Sequence, residues 1–110
     1  MNPKTYHIIN PAIVKCLDIS TGHMTENDDK LLKAATDDQR QVPSLAIVYE
    51  YKEGYFVYVS PETDQDAELT KEGFSAAFLN LIKMARSLKL KYVQFDADGI
   101  TYADLPLFDW

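Results

Sequence analysis

The sequence predicts an α+β fold: a two-layer antiparallel sheet with two helices on one face, in the order β-α-β-β-α-β. Three observations predict it. Residues 45–60, LAIVYEYKEGYFVYVS, are the densest run of β-branched and aromatic residues, and Lys52-Glu53-Gly54 divides them into two strands. Phe74, Phe78, Leu81, Ala85 and Leu88 recur at helical spacing within 70–89. Period-two alternation marks further strands at 13–20 and 91–97. The order is ferredoxin-like, or a variant with an extra C-terminal edge strand.

With 110 residues the chain is expected to form one domain around one core, residues 13–110, preceded by an arm at 1–12. A 46% hydrophobic and 25% charged composition argues against disorder of the body. The net charge of −6 argues against direct nucleic-acid binding, which needs clustered cations, and suits a basic partner. Cys16 is the sole cysteine, so an internal disulfide is excluded and a reducing compartment expected. The N-terminus lacks the pattern of a signal peptide and no apolar run is long enough to span a bilayer. A cytoplasmic protein with no membrane association is the expectation.

Pro3 and Pro11 bracket the arm. In 13–20, IVKCLDIS, Ile13, Leu17 and Ile19 point one way and Val14, Cys16, Asp18 and Ser20 the other. Ser20-Thr21-Gly22-His23 turns the chain. Thr25 opens a helix as N-cap, with Asp28 at N3 resembling a shortened capping box; the helix ends near Thr36. A polar loop, 37–43, follows.

In the hairpin, a three-residue loop ending in left-handed Gly54 would pair Tyr51 with Tyr55. That register sets Leu45, Ile47, Tyr49 and Tyr51 on one face with Tyr55, Val57 and Val59. Ala46, Val48 and Glu50 then share the other with Phe56, Tyr58 and Ser60. An acidic connector, 61–69, leads to the helix over 70–89. After the 91–97 strand, Asp98-Gly99 is a hairpin signal that would return Ile100-Thr101-Tyr102 as an edge strand. Leu107, Phe108 and Trp110 are expected to pack down. The expected sheet core is Ile13, Leu17, Ile19, Ile47, Val57, Val59, Val93 and Phe95.

Three segments carry a family resemblance: LDISTGHMTENDDKLL at 17–32, VYEYKEGYFVYV at 48–59 and FDADGITYADLPLFDW at 95–110. The chain resembles the small uncharacterised bacterial proteins grouped as domain of unknown function 5983, often carried on mobile elements. The resemblance implies a bacterial context and no catalytic residue.

Several residues are weighed as sites. Ser20, Thr21 and His23 lie in a strand-to-helix loop, where free N–H groups can hold anions; the plainer reading is a turn preparing the Thr25 cap. Asp18, Asp96 and Asp98 offer hard oxygen ligands, but no EF-hand spacing is present and Asp98-Gly99 reads first as a turn. Cys16 lacks an adjacent base and reads as a structural thiol. The sheet face away from the helices would carry Val14, Cys16, Asp18, Val48, Glu50, Phe56, Tyr58, Tyr92 and Gln94. Its aromatics suggest base stacking, but its charges, Asp18 and Glu50, do not neutralise phosphate. Self-association or a protein partner fits better, with Val48, Glu50, Phe56, Tyr58 and Tyr92 as the candidate interaction face; the plainer reading is that the N-terminal arm and C-terminal tail cover it. Acidic residues between Glu62 and Glu72 read as a solvated loop, or as a mimic of nucleic-acid charge.

The expected function is therefore a non-catalytic protein-binding or regulatory domain, with no cofactor and no metal. The alternative is a small enzyme or ligand-binding protein built on the Ser20–His23 loop and nearby carboxylates.

Overall fold

In a computed structural model, which describes residues 8–37 and 48–110, three helices pack against a four-stranded sheet. The elements are β1 (Cys16–Ser20), a 3₁₀ turn (Thr21–His23), α1 (Glu26–Thr36), β2 (Val48–Tyr51), β3 (Gly54–Tyr58), α2 (Asp64–Glu72), α3 (Ala76–Ser87) and β4 (Tyr92–Asp96). The fold is α+β, as expected, but the sheet is mixed rather than antiparallel. Its order is β1-β4-β3-β2, with β1 at an edge and parallel to β4. The other neighbours are antiparallel. This is not the ferredoxin-like topology. Alternation shows which residues of a strand share a face; it carries nothing about which strand lies alongside.

β1 starts three residues later than expected, because Lys91 is the last backbone donor beside it: its N–H reaches the Lys15 carbonyl at 2.9 Å. Ile13 and Val14 consequently stand exposed, outside sheet and core. The core is built from Ile19, Val57, Val59, Val93 and Phe95 on the sheet, with Leu32, Leu69, Phe78, Leu81 and Ile82 from the helices. Leu17 packs against it half-buried, and Ile47 lies outside the described residues. Phe74 stacks on Phe78 and Phe78 on Phe95, with ring centroids 4.5 and 5.5 Å apart. This aromatic column ties α3 to the middle of the sheet.

The hairpin register differs by one residue. Tyr51 pairs with Gly54, Glu50 with Tyr55, Tyr49 with Phe56 and Val48 with Val57, around a two-residue turn. Gly54 is a strand residue, needed for close approach: a Cβ there would lie 1.7 Å from the Phe95 carbonyl oxygen. A slip of one residue turns a strand over. Val48 and Glu50 therefore face the helices, where Glu50 accepts from the Lys33 ammonium at 2.9 and 3.0 Å. Tyr49 and Tyr51 take their place on the open face. The expected positions of Leu45, Ala46 and Ile47 lie outside the described residues.

The expected helix over 70–89 is two helices, and much of the acidic connector belongs to the first. Gly73, at φ 100°, ends α2 in the left-handed region. Ser75 then caps α3, its hydroxyl accepting the Phe78 N–H at 3.1 Å. Arg86 clamps the pair. Its guanidinium makes two 2.9 Å bonds to the Asp66 carboxylate and one of 2.8 Å to the Ser60 carbonyl.

The expected strand at 100–102 does not form. After β4 the chain crosses the end of β1, where the Ser20 N–H donates to the Ile100 carbonyl at 2.8 Å. The crossing is so close that a Cβ on Gly99 would sit 2.6 Å from the Ile19 carbonyl. The tail then runs along the 3₁₀ turn. The Phe108 N–H reaches the Gly22 carbonyl and the Trp110 indole reaches the Met24 carbonyl. Leu107 and Trp110 remain about half exposed, at 62% and 48%, so this docking relies on hydrogen bonds more than on apolar burial.

Candidate functional site: the open sheet face

His23 is buried, and both its ring nitrogens are engaged. Nε2 accepts the Tyr102 N–H at 2.8 Å, and Nδ1 lies 2.6 Å from the Pro106 carbonyl. A carbonyl only accepts, so Nδ1 carries the proton and the ring is neutral. Ser20 is likewise occupied: its hydroxyl accepts the Gly22 N–H and caps the 3₁₀ turn. Thr21 opens that turn, and its carbonyl accepts the Met24 N–H. The Ser20–His23 loop is a docking post for the tail.

The carboxylates are spread along β1 and β4, with Asp96 beside Ser20 and Asp18 level with Gln94 in the register. Asp96 accepts from the Tyr51 hydroxyl at 2.7 Å and from the Asp98 N–H at 2.7 Å, which fixes the turn after β4. Among the described residues no three or more His, Cys, Asp or Glu gather as a metal site.

What the sheet does assemble is an aromatic face. In side-chain parity Cys16, Asp18, Tyr92, Gln94, Phe56, Tyr58, Tyr49 and Tyr51 lie opposite the helices. Tyr51 contacts Phe56 at 5.3 Å between centroids; Tyr92 meets Phe56 and Tyr58 edge-on at 6.4 and 6.1 Å. A polar chain runs through them. The Cys16 thiol lies 3.9 Å from Gln94 Oε1, Gln94 Nε2 donates to the Tyr51 hydroxyl at 3.1 Å, and that hydroxyl donates to Asp96.

Burial pushes the Tyr51 hydroxyl up to about 12, with the Asp96 hydrogen bond adding to it. The same bond, first, and the Asp98 N–H, second, hold the Asp96 carboxyl below its ordinary value. A depressed carboxylate contributes stability above its unfolded pKa, and that contribution is lost as pH falls through the folded value. Tyr51→Phe is thus expected to move the Asp96 titration upward, toward ordinary aspartate. Carbon-13 NMR of the side-chain carboxyl across acid pH checks it.

Phe56, Tyr58 and Tyr92 lie on the face as expected from sequence; Val48 and Glu50 do not, for the reason of register. Tyr49 and Tyr51 were not legible as members. The signal that finds them is pairing: the two-residue turn sets Val48 against Val57 on one side and Tyr49 against Phe56 on the other.

Among the described residues the tail does not cross this face, on which Cys16, Asp18 and Tyr49 are exposed and Tyr51, Phe56, Tyr58, Tyr92 and Gln94 half-buried. Its hydrogen bonds go to Asp18, Ser20, Gly22, His23 and Met24, at the outer edge of β1 and the 3₁₀ turn. Tyr102 and Leu105 instead wall a groove of about 270 Å³ on the helix side, with Leu17, Met84 and Leu88. Residues 8–15 are exposed throughout. Beyond Tyr58, a hollow of about 430 Å³ is lined by Ser60, Pro61, Arg86, Lys89 and Lys91. Among the described residues no helix is long and apolar enough to cross a membrane.

A family model described as the C-terminal domain of a family of unknown function (DUF5983) matches residues 16–110, from the first residue of β1 to the last of the chain. No curated protein and no solved structure matches.

Proposed function

We propose that this chain, which belongs to the DUF5983 family of unknown function over residues 16–110, is a non-catalytic protein-binding or regulatory domain working through the open face of its sheet. The carrying observation is the gathering of Tyr49, Tyr51, Phe56, Tyr58 and Tyr92 on one side of the sheet, away from helices and tail. Tyrosines supply large, stiff contact area with a polar tip, and aromatics are enriched at the centres of interfaces. For the enzyme alternative, His23 is not a free base: its nitrogens are spent on Tyr102 and Pro106 and its ring is buried. An acidic cytoplasmic protein of bacterial origin, with an exposed unpaired Cys16, fits this reading.

Phe56→Ser and Tyr58→Ser are expected to abolish partner capture, or concentration-dependent mass in light scattering, while leaving the circular dichroism of the fold in place. Truncating a central interface aromatic costs on the order of 2 kcal/mol or more of binding. Unchanged mass together with unchanged capture would remove the face from consideration.

A further inference from the structure

Resting on that reading, we infer that the partner of the open face is a second copy of this chain, stacked face to face about a two-fold axis that runs across the strands at the level of Gln94 and Phe56. The face is polarised along its strands. One end row is Cys16, Tyr92 and Tyr58. There the Lys91 ammonium lies 5.8 Å from the centre of the Tyr92 ring. The other end row is Ser20, Asp96, Gly54 and Tyr51, flanked by exposed Glu53 and Asp98, with Lys52 as a lone cation in the turn. Four residue steps along β4 separate Tyr92 from Asp96, about 13 Å.

An axis across the strands reverses their direction in the second copy. Each Lys91–Tyr92 end then opposes the Asp96 end of the other copy, and symmetry repeats the contact. The middle row, Asp18, Gln94, Phe56 and Tyr49, meets itself. Phe56 meets Phe56, and the Gln94 amides can exchange a donor for an acceptor. Tyr58, a large ring, meets Gly54, which has no side chain. Stacked sheets lie about 10 Å apart, the span such side chains fill. The opposing cost is Asp18 facing Asp18, but this pair lies on the exposed edge strand, where water and salt screen it. A purely acidic or purely basic partner satisfies one end and repels the other. A partner with both charges in reversed order satisfies both, and a second copy has that order by construction.

Sedimentation equilibrium of the full chain over a concentration series tests this. Parent protein is expected to double in mass. Lys91→Glu and Asp96→Lys, each alone, set like charges together at both contacts and should weaken the dimer at least about tenfold. An equimolar mixture of the two pairs opposite charges at both contacts and should restore the dimer. Asp96→Lys also removes the bonds to Tyr51 and Asp98, so Gln94→Arg, which leaves Asp96 intact and sets two guanidinium groups together at the axis, is the second arm; it should give monomer.

A parent that stays monomeric overturns the inference. Capture of a host protein that Phe56→Ser abolishes would then leave the binding reading standing, whereas capture insensitive to Phe56→Ser would remove that too. A dimer indifferent to Gln94→Arg and Lys91→Glu overturns the placement on this face. Loss in both single variants without recovery on mixing overturns the two-fold arrangement.

Discussion

Asp28→Asn is expected to destabilise the chain by about 3 kcal/mol, the sum of three compromised buried hydrogen bonds at about 1 kcal/mol each. Asp28 is fully buried, and its carboxylate lies between two helix N-termini. One oxygen accepts the Thr25 N–H at 2.9 Å and the Ser75 hydroxyl at 2.6 Å; the other accepts the Ser75 N–H at 2.8 Å. Its own N–H donates to the Thr25 hydroxyl at 3.1 Å, completing the capping box of α1. All three groups around the carboxylate present hydrogens, so an amide must turn its NH₂ toward at least one of them. The negative charge also faces the positive ends of α1 and α3 together. In a domain this size the loss lowers the melting temperature by more than about 10 °C. Thr25→Ala, which removes one cap only, should cost about 1 kcal/mol. Urea unfolding of both variants decides it; equal small losses would mean that Asp28 acts as an ordinary cap.

His23→Ala is expected to cost about 2–4 kcal/mol and to free the tail. The substitution orphans the Tyr102 N–H and the Pro106 carbonyl and empties a fully packed site. Because Leu107 and Trp110 bury so little, the remaining links at Asp18, Ser20, Gly22 and Met24 should hold the tail less firmly. Hydrogen exchange at the Tyr102 and Phe108 amides should therefore accelerate more than exchange at Val57 or Val93, which report global opening. Acceleration of all four by one factor would make His23 a core residue without a special hold on the tail.

Both residues show where sequence reasoning reaches and stops. The Thr-x-x-Asp spacing exposes the capping box because its partners are three residues apart. The Ser75 half of that network lies 47 residues away and has no local signature. Alternation assigned Ile19, Val57, Val93 and Phe95 to the core, since the faces of β1, β3 and β4 are unequal in polarity. It misplaced β2 because Gly54 resembles a turn glycine, while its actual constraint is the Phe95 carbonyl on a distant strand. The tail went wrong similarly. Asp98-Gly99 has the local chemistry of a hairpin, but the edge of β1 and the nitrogens of His23 offer the returning chain better partners than β4 does. The aromatic face was half legible: Phe56, Tyr58 and Tyr92 follow from alternation within a strand, Tyr49 and Tyr51 only from register between strands.

The most direct test of the open face as the binding surface is hydroxyl-radical footprinting of the full chain at low and high concentration, read residue by residue by mass spectrometry. Tyr49, Phe56, Tyr58 and Tyr92 are expected to lose reactivity together as concentration rises, while Tyr102 and Leu88, on the helix side, keep theirs. Protection of Leu88 and Leu105 with the four aromatics still reactive would place binding in the groove between α3 and the tail and contradict the account.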